Sequence, residues 1–257
     1  MTGNPALLAP SRFVDRLDDC FFYHAMELPG FGLIPAHWDL RGRFPDYVGG
    51  VDVAGKSVLD VGTATGFLSF EAEKHGASRV LSFDQLDGAD QRFLPFKEKP
   101  FYGDHARWAE QYRAEIERWK NAYWLSHRLL DSKAEVFYGD IYDLPTGLGE
   151  FDIVIVGSVL EHLSDPISAL GSIARLTKER MIVVTPLLET HEPIARFEGR
   201  ASNPEADFTW WVYSVGTYRE VFAMLGFEIE KINRATYHYM YGDRDEERAT
   251  IVARRVS

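Results

Sequence analysis

Five short apolar runs set the rhythm of this chain. They lie at 57–61, 79–83, 135–138, 152–156 (DIVIV) and 180–184 (RMIVV), with longer stretches between them. Inside each run the apolar residues are continuous rather than alternating, which marks strands covered on both faces. Strand and helix signals taking turns imply a parallel sheet with crossover helices. A further helix, TYREVFAML, starts at Thr217 and stops at Gly226, a residue suited to a left-handed C-cap. Strand signals at 227–232 (FEIEKI) and 249–254 (ATIVAR) follow it. The pattern predicts an α/β fold built on a seven-stranded, mostly parallel sheet with helices on both faces.

Three pieces exceed this core. Residues 1–55 form an aromatic-rich N-terminal cap segment ahead of a main domain at 56–257, which carries insertions at about 88–133 and 186–216. In the first insertion Trp108, Tyr112, Ile116, Trp119, Tyr123 and Leu130 fall near one helical stripe, with Asp104 as N-cap. A stripe with that spacing need only pack on the sheet; its aromatics also offer a homodimer contact. The second insertion holds Arg196, Phe197, Phe208, Trp210, Trp211 and Tyr213. Ligands of doubly wound sheets sit beyond the carboxyl ends of the strands. The cap segment and the second insertion are therefore placed to roof that site. Trp210 and Trp211 read either as packing or as a ligand-pocket wall, because a long irregular connection inside a compact domain is commonly functional.

Charge narrows the partners. Thirty-nine acidic residues against 28 Lys and Arg leave a formal charge of -11, opposite to the bias of proteins that draw affinity from polynucleotide phosphates. Nucleic acid is disfavoured as substrate on that ground. The single cysteine, Cys20, excludes an internal disulfide and fits a reducing cytosol. No apolar run reaches membrane-spanning length, and no basic segment precedes an apolar one at the N-terminus. The expectation is a soluble, cytoplasmic protein.

Candidate chemistry gathers at the strand ends. KSVLDVGTATG (56–66) reads as a buried strand entering a turn made of Gly62, Thr63, Ala64 and Gly66, and RVLSFD closes the next strand with Asp84. A turn with so little side chain lets backbone approach a nucleotide-like ligand, and a carboxylate ending the neighbouring strand accepts from both hydroxyls of a ribose. A dinucleotide fingerprint would need glycine at 64 and 67, where Ala64 and Phe67 stand. Gln85 follows the acid and lines an adenosine. Asp140, in FYGDIYDLP, is either an acceptor for an adenine amino group, with Ile141 against the ring, or a turn former. The fourth strand ends in VGSVLEHLSDP: Gly157 and Ser158 present backbone, and Asp165 with Pro166 opens a helix. Glu161 and His162 sit in the connecting turn. His162 is either a general base, since an imidazole titrates near neutrality, or a loop-orienting group bonded to Glu161.

GKSVLDVGTATGFLSFEAEKHGA, FYGDIYDLP, DIVIVGSVLEHLSDPISAL and PIARFEGRA…WWVYS…GF together resemble a class I S-adenosylmethionine (SAM) methyltransferase. With the leading YHAMELPG…HWDLR they are similar to a subfamily related to bacterial tRNA wobble-uridine (5-carboxymethoxyuridine-forming) enzymes. The resemblance implies a Rossmann-like sheet with an antiparallel last strand, SAM as cofactor and S-adenosylhomocysteine (SAH) as product. It implies cofactor contacts from Asp60, Gly62, Asp84, Asp140 and Ser158, with Asp60 meeting the methionine ammonium directly or through water. No metal is called for. Ala64 departs from a common second glycine and tightens the turn. The acceptor is expected to be a small molecule methylated at oxygen in secondary metabolism, for instance antibiotic biosynthesis, approached by Tyr23, Arg196, Trp210, Trp211, Tyr237 and, more weakly, His238. The alternatives are a tRNA uridine-modifying methyl or carboxymethyl transferase, with Arg196 or Arg41 holding the extra carboxylate, and a non-methylating SAM binder or cyclase.

Overall fold

A computed structural model of the protein describes residues 4–87, 105–200 and 209–257. The N-terminal segment makes a hairpin of β1 (Met26–Leu28) and β2 (Gly32–Ile34), then the short β3 (Trp38–Asp39) and α1 (Phe44–Tyr47). The alternating core follows as β4 (Ser57–Val61), α2 (Phe67–Lys74), β5 (Arg79–Gln85), α3 (His105–Leu129), β6 (Glu135–Gly139), β7 (Phe151–Gly157), α4 (Pro166–Ala174) and β8 (Thr177–Thr185). A small layer of β9 (Leu187–Leu188), β10 (Ala195–Phe197) and β11 (Trp211–Ser214) precedes α5 (Val215–Met224) and the long hairpin of β12 (Phe227–Tyr239) and β13 (Arg244–Arg255).

The central sheet runs β3-β12-β13-β8-β7-β4-β5-β6. Pairing is parallel from β8 to β6, and β13 lies antiparallel to both neighbours, as the fold expectation requires. Seven strands coincide with the predicted ones. The eighth, β3, comes from the N-terminal segment and pairs antiparallel with His238 and Tyr239. Among the described residues no helix is long and apolar enough to cross a membrane.

Alternation along the buried strands splits the core in two. Val58, Ile153 and Ile155 face α2 and α3, where Phe70, Tyr123 and Leu125 pack. Leu59, Val61 and Val154 face α4 and α5, against Leu170, Ile173, Tyr218 and Phe222. Helix α4 opens as the sequence predicts, with Asp165 accepting from the Ser168 N–H and Pro166 at its first position. Helix α5 starts two residues early because Ser214 caps the Thr217 N–H. On α3, Ile116 and Tyr123 are buried as the stripe implies, whereas Leu130 lies past the helix end and is 40% exposed. Asp104, the Trp108 side chain and Phe208 lie outside the described residues.

The hairpin is longer than the apolar runs suggest. Ala249 pairs with Thr185, the last residue of β8, so residues 244–248 extend past the sheet's carboxyl edge. They carry polar side chains above the strand tips, which conceals them from a search for continuous apolar runs.

Candidate active site

The turn after β4 occupies left-handed backbone at alternate positions: φ is 77° at Gly62, 49° at Ala64 and 91° at Gly66. A Cβ on Gly62 would lie 2.4 Å from Val159 Cγ2, so only glycine meets both demands there. Ala64 holds its conformation at a cost of about 1–2 kcal/mol, and its N–H donates to Asp84 Oδ2 at 2.7 Å. The other oxygen of Asp84 accepts from the Gln85 N–H at 2.7 Å. Gly62 and Thr63 both donate their N–H groups to the Phe83 carbonyl. The turn is thus clipped to the end of β5, with the Asp84 carboxylate as the clip. Burial raises that carboxyl above its ordinary value, the two backbone donors and Lys120 working against the shift.

Behind the turn, Asp60 Oδ2 accepts from the hydroxyls of Thr63 (2.8 Å) and Ser69 (2.7 Å). Ser69 continues to Ser82 (2.6 Å) and Ser82 to Tyr123 on α3 (2.8 Å). Asp60 Oδ1 is buried without a hydrogen-bond partner among the described residues. Burial pushes the carboxyl up to about 6; the two hydroxyls pull it down and Asp84 pushes it further up. Asp60, Thr63 and Gly66 therefore stand behind the cavity wall as its bracing. Asp60, expected to meet a methionine ammonium directly or through water, is fully buried and is not among the residues lining the cavity.

A cavity of about 1240 Å³ opens above the strand tips, exceeding the roughly 300–1,000 Å³ of a single small-ligand site. Gly62, Ala64, Asp84 and Gln85 form one part of its floor, Asp140 and Ile141 a second. Gly157, Ser158, Glu161 and His162 form the third. The eleven cofactor positions read from sequence thus divide into eight on the wall and three behind it. Asp140 Oδ1 caps the Tyr142 N–H at 2.9 Å, as a turn former does, and the residue also lines the cavity. At Gly157 a Cβ would come within 2.9 Å of the Tyr47 hydroxyl, which brings the N-terminal segment down onto β7.

Tyr23, Arg196 and Tyr237, expected on the acceptor side, all line the cavity. Trp210 and Trp211 do not. Trp210 is only 2% exposed, and Trp211 packs on Phe197 with its indole N–H towards the Ser164 carbonyl. Thr209 and Val212 take the wall positions instead. The Trp210 backbone N–H, however, donates to the Glu161 carbonyl and so fixes the catalytic-loop candidate. His238 pairs with Asp245 at 2.9 Å and Arg41 with Asp39 at 2.7 Å, both away from the cavity.

Sequence reasoning missed much of the roof. His24, His37 and Trp38 line it from the N-terminal segment, and Tyr112 and Trp119 from α3. The helical stripe is thus shared between sheet packing and cavity wall. The Tyr23 ring lies 5.3 Å from Trp119 and 5.4 Å from His37. Burial raises the Tyr23 hydroxyl; a hydrogen bond with Trp38 and the charge of Arg248 lower it, and the charge of Glu161 raises it further. His24 is held neutral, pushed down to about 3 by burial and by His37. Arg244, Glu246 and Arg248 line the cavity from β13. Their spacing of two on a strand was the available signal that they share a face.

The residues present fit an adenosine-bearing cofactor. Asp84 keeps lone pairs on both oxygens beyond its two backbone bonds, and the turn keeps side chains out of the approach. A family model described as a methyltransferase domain matches residues 39–232, well over half of the chain. No curated protein matches by sequence. The chain is similar in fold to a magnesium protoporphyrin IX methyltransferase from Synechocystis PCC 6803 with bound SAH (16% identity, TM-score 0.52, covering 84% of this chain and 81% of that one). It is likewise similar to a SAM-dependent methyltransferase from Mesorhizobium loti (16% identity, TM-score 0.52, 84% and 97% covered). A third match is a candidate RNA methyltransferase from Pyrococcus horikoshii (14% identity, TM-score 0.50, 84% and 85% covered). The chain belongs to the methyltransferase-domain family and is a SAM-dependent methyltransferase of the class I fold, yielding SAH as product.

Proposed function

We propose that this enzyme methylates a small-molecule acceptor at oxygen, as part of secondary metabolism in the cytoplasm. The observation that carries the reading is the cavity: its volume suits a cofactor and a second small ligand together, and four chain segments roof it. A polynucleotide needs an open, basic surface, and a net charge of -11 argues against one. The tRNA-uridine reading has the family resemblance in its favour and this charge against it. The homodimer reading rests on residues 101–124, where Tyr112, Trp119 and Tyr123 are turned at least partly inward.

Asp84 would take the ribose hydroxyls, Asp140 and Ile141 the adenine, and Gly157 and Ser158 the methionine end. The cofactor supplies a methyl group already activated on a cationic sulfur. The protein's part is alignment, which can contribute roughly 7–11 kcal/mol, and removal of the acceptor proton. His162 faces the cavity beside the buried Glu161 and takes that proton, while Glu161 and Tyr23 orient the acceptor. Incubation with methyl-labelled SAM and fractionated small-molecule extracts tests the reading. Label in a low-molecular-weight product is expected. Label only in added tRNA would favour the uridine-modifying reading, and no transfer at all with intact SAM binding would favour a non-methylating protein.

A further inference from the structure

The cavity is lined by charges of both signs. Asp84 and Asp140 stand at the proposed cofactor subsite, Asp84 with Lys120 behind it, and Asp87 is paired with Arg113 at 3.1 Å. Four guanidiniums, Arg196, Arg200, Arg244 and Arg248, also line the cavity, with the carboxylates Glu198 and Glu246 among them; Arg196 pairs with Glu198. In a chain of net charge -11, four arginines lining one cavity oppose the overall bias. The cofactor accounts for the carboxylates. The arginines require a different partner.

Their geometry is specific on β13. Arg244, Glu246 and Arg248 lie on one face, and Glu246 is shared, accepting from Arg244 Nη2 at 2.7 Å and from Arg248 Nη2 at 2.6 Å. One carboxylate thus serves two guanidiniums and holds them side by side, with Glu246 and Arg248 keeping only 20% side-chain exposure each. Both guanidiniums also sit over aromatic rings: Arg248 is 5.3 Å from the Trp38 centroid and Arg244 4.7 Å from that of Tyr239. Trp119, which also lines the cavity from α3, has a buried indole N–H with no partner among the described residues. A buried donor of that kind is normally satisfied, so it awaits an acceptor atom. The cavity therefore offers planar guanidiniums, aromatic faces and a spare donor.

We propose that the acceptor is an anionic aromatic molecule whose carboxylate or phosphate docks between Arg244 and Arg248, its ring lying against Trp38, Tyr239 and Tyr23. Guanidinium forks match both oxyanions, and the carboxylates Asp84 and Asp140 at the proposed cofactor subsite repel an anion there. Arg196 and Arg200 line the same cavity and carry charge of the same sign. The proposal rests on the small-molecule reading above and names the acceptor class.

The test uses the full-length enzyme saturated with SAH, titrated calorimetrically with 4-hydroxybenzoate, 4-hydroxyphenyl phosphate and the neutral 4-hydroxybenzamide. At least one anion is expected to bind about tenfold or more tightly than the amide, the size of one charge-assisted hydrogen bond; which anion does so separates carboxylate from phosphate. Arg248→Met should remove that preference while leaving SAH affinity unchanged. Glu246→Gln should strengthen anion binding several-fold, because it withdraws a competing carboxylate from both guanidiniums; a merely structural pair would weaken binding in both variants. Equal binding of acid and amide overturns the proposal, as does the absence of anion binding or weakening by both variants. A parallel loss of SAH affinity in Arg248→Met would assign the arginines to the cofactor and also overturn it. SAH titration of the wild type reports separately on the methyltransferase site, so failure there is not confused with failure here.

Discussion

The floor of the cavity and its roof are built on opposite principles. The floor, at the tips of β4 to β7, is backbone: four left-handed residues (Gly62, Ala64, Gly66 and Ser158), glycines where a Cβ would collide, and one carboxylate clipping two strand ends. The roof is side chain: aromatics and arginines delivered by the N-terminal segment, α3, the 186–212 region and the β12–β13 hairpin. A floor of this kind leaves little room for side chains, whereas the roof is made of side chains, some of them (Trp38, Tyr239, Arg244 and Arg248) on the outer strands of the sheet. We propose from this contrast that the first region carries the cofactor chemistry and the second the choice of acceptor.

Several substitutions sharpen the contrast. His162→Ala, at the boundary between the regions, should lower turnover by about 10²–10⁴ while SAH affinity stays within a few-fold; unchanged turnover would remove the proton-accepting role. Gly66→Ala attacks the bracing behind the floor. Its Cβ would lie 2.4 Å from Phe70 Cε2 and 2.8 Å from Tyr123 Cδ2 at φ 91°, so stability should fall by about 3–5 kcal/mol. Calorimetry should then show the melting temperature lowered by about 10 °C.

Asp60→Asn tests the bracing through pH. The folded-state carboxyl sits at about 6, above the ordinary 3.8, so the native state binds the proton more tightly than the unfolded chain. The wild type accordingly loses stability from this group as pH rises from about 4 to about 6, and the Asp60→Asn protein does not. Urea unfolding across that window should move the stability difference by about 3 kcal/mol in favour of the variant. No drift with pH would show that Asp60 titrates normally. Tyr123→Phe is the mildest change. It removes the last hydroxyl of the chain from Asp60 through Ser69 and Ser82, and should cost about 1 kcal/mol, read in the same unfolding experiment.

Much of the floor was legible because its residues are contiguous: 56–66 with Asp84, then 139–141 and 157–162, each at the end of an unmistakable apolar run. Its internal division was not legible. Asp60 and Ala64 look equally available in sequence, and only the strand's alternation puts one behind the wall. The roof was harder for a physical reason. Its wall is assembled from Tyr23, Trp119, Arg196 and Arg248, which are remote in sequence, and an aromatic stripe on α3 fits sheet packing as well as cavity lining. Trp210 and Trp211 attracted attention by size, yet burial of Trp210 and packing of Trp211 on Phe197 gave their wall positions to Thr209 and Val212. The hairpin tip was hidden by its polarity, although the Arg-Glu-Arg spacing of 244, 246 and 248 and the left-handed Asp243 (φ 43°) fit a strand entered from a turn.

The central claim is that the Asp84 carboxylate holds the sugar of the cofactor at the tip of β5. Calorimetric titration of SAH into the wild type and into Asp84→Ala, with folding checked by circular dichroism, tests it most directly. Loss of two charge-assisted hydrogen bonds predicts affinity weakened by about 100-fold or more, with Asp84→Asn in between. A folded Asp84→Ala protein that binds SAH within a few-fold of the wild type would contradict the account.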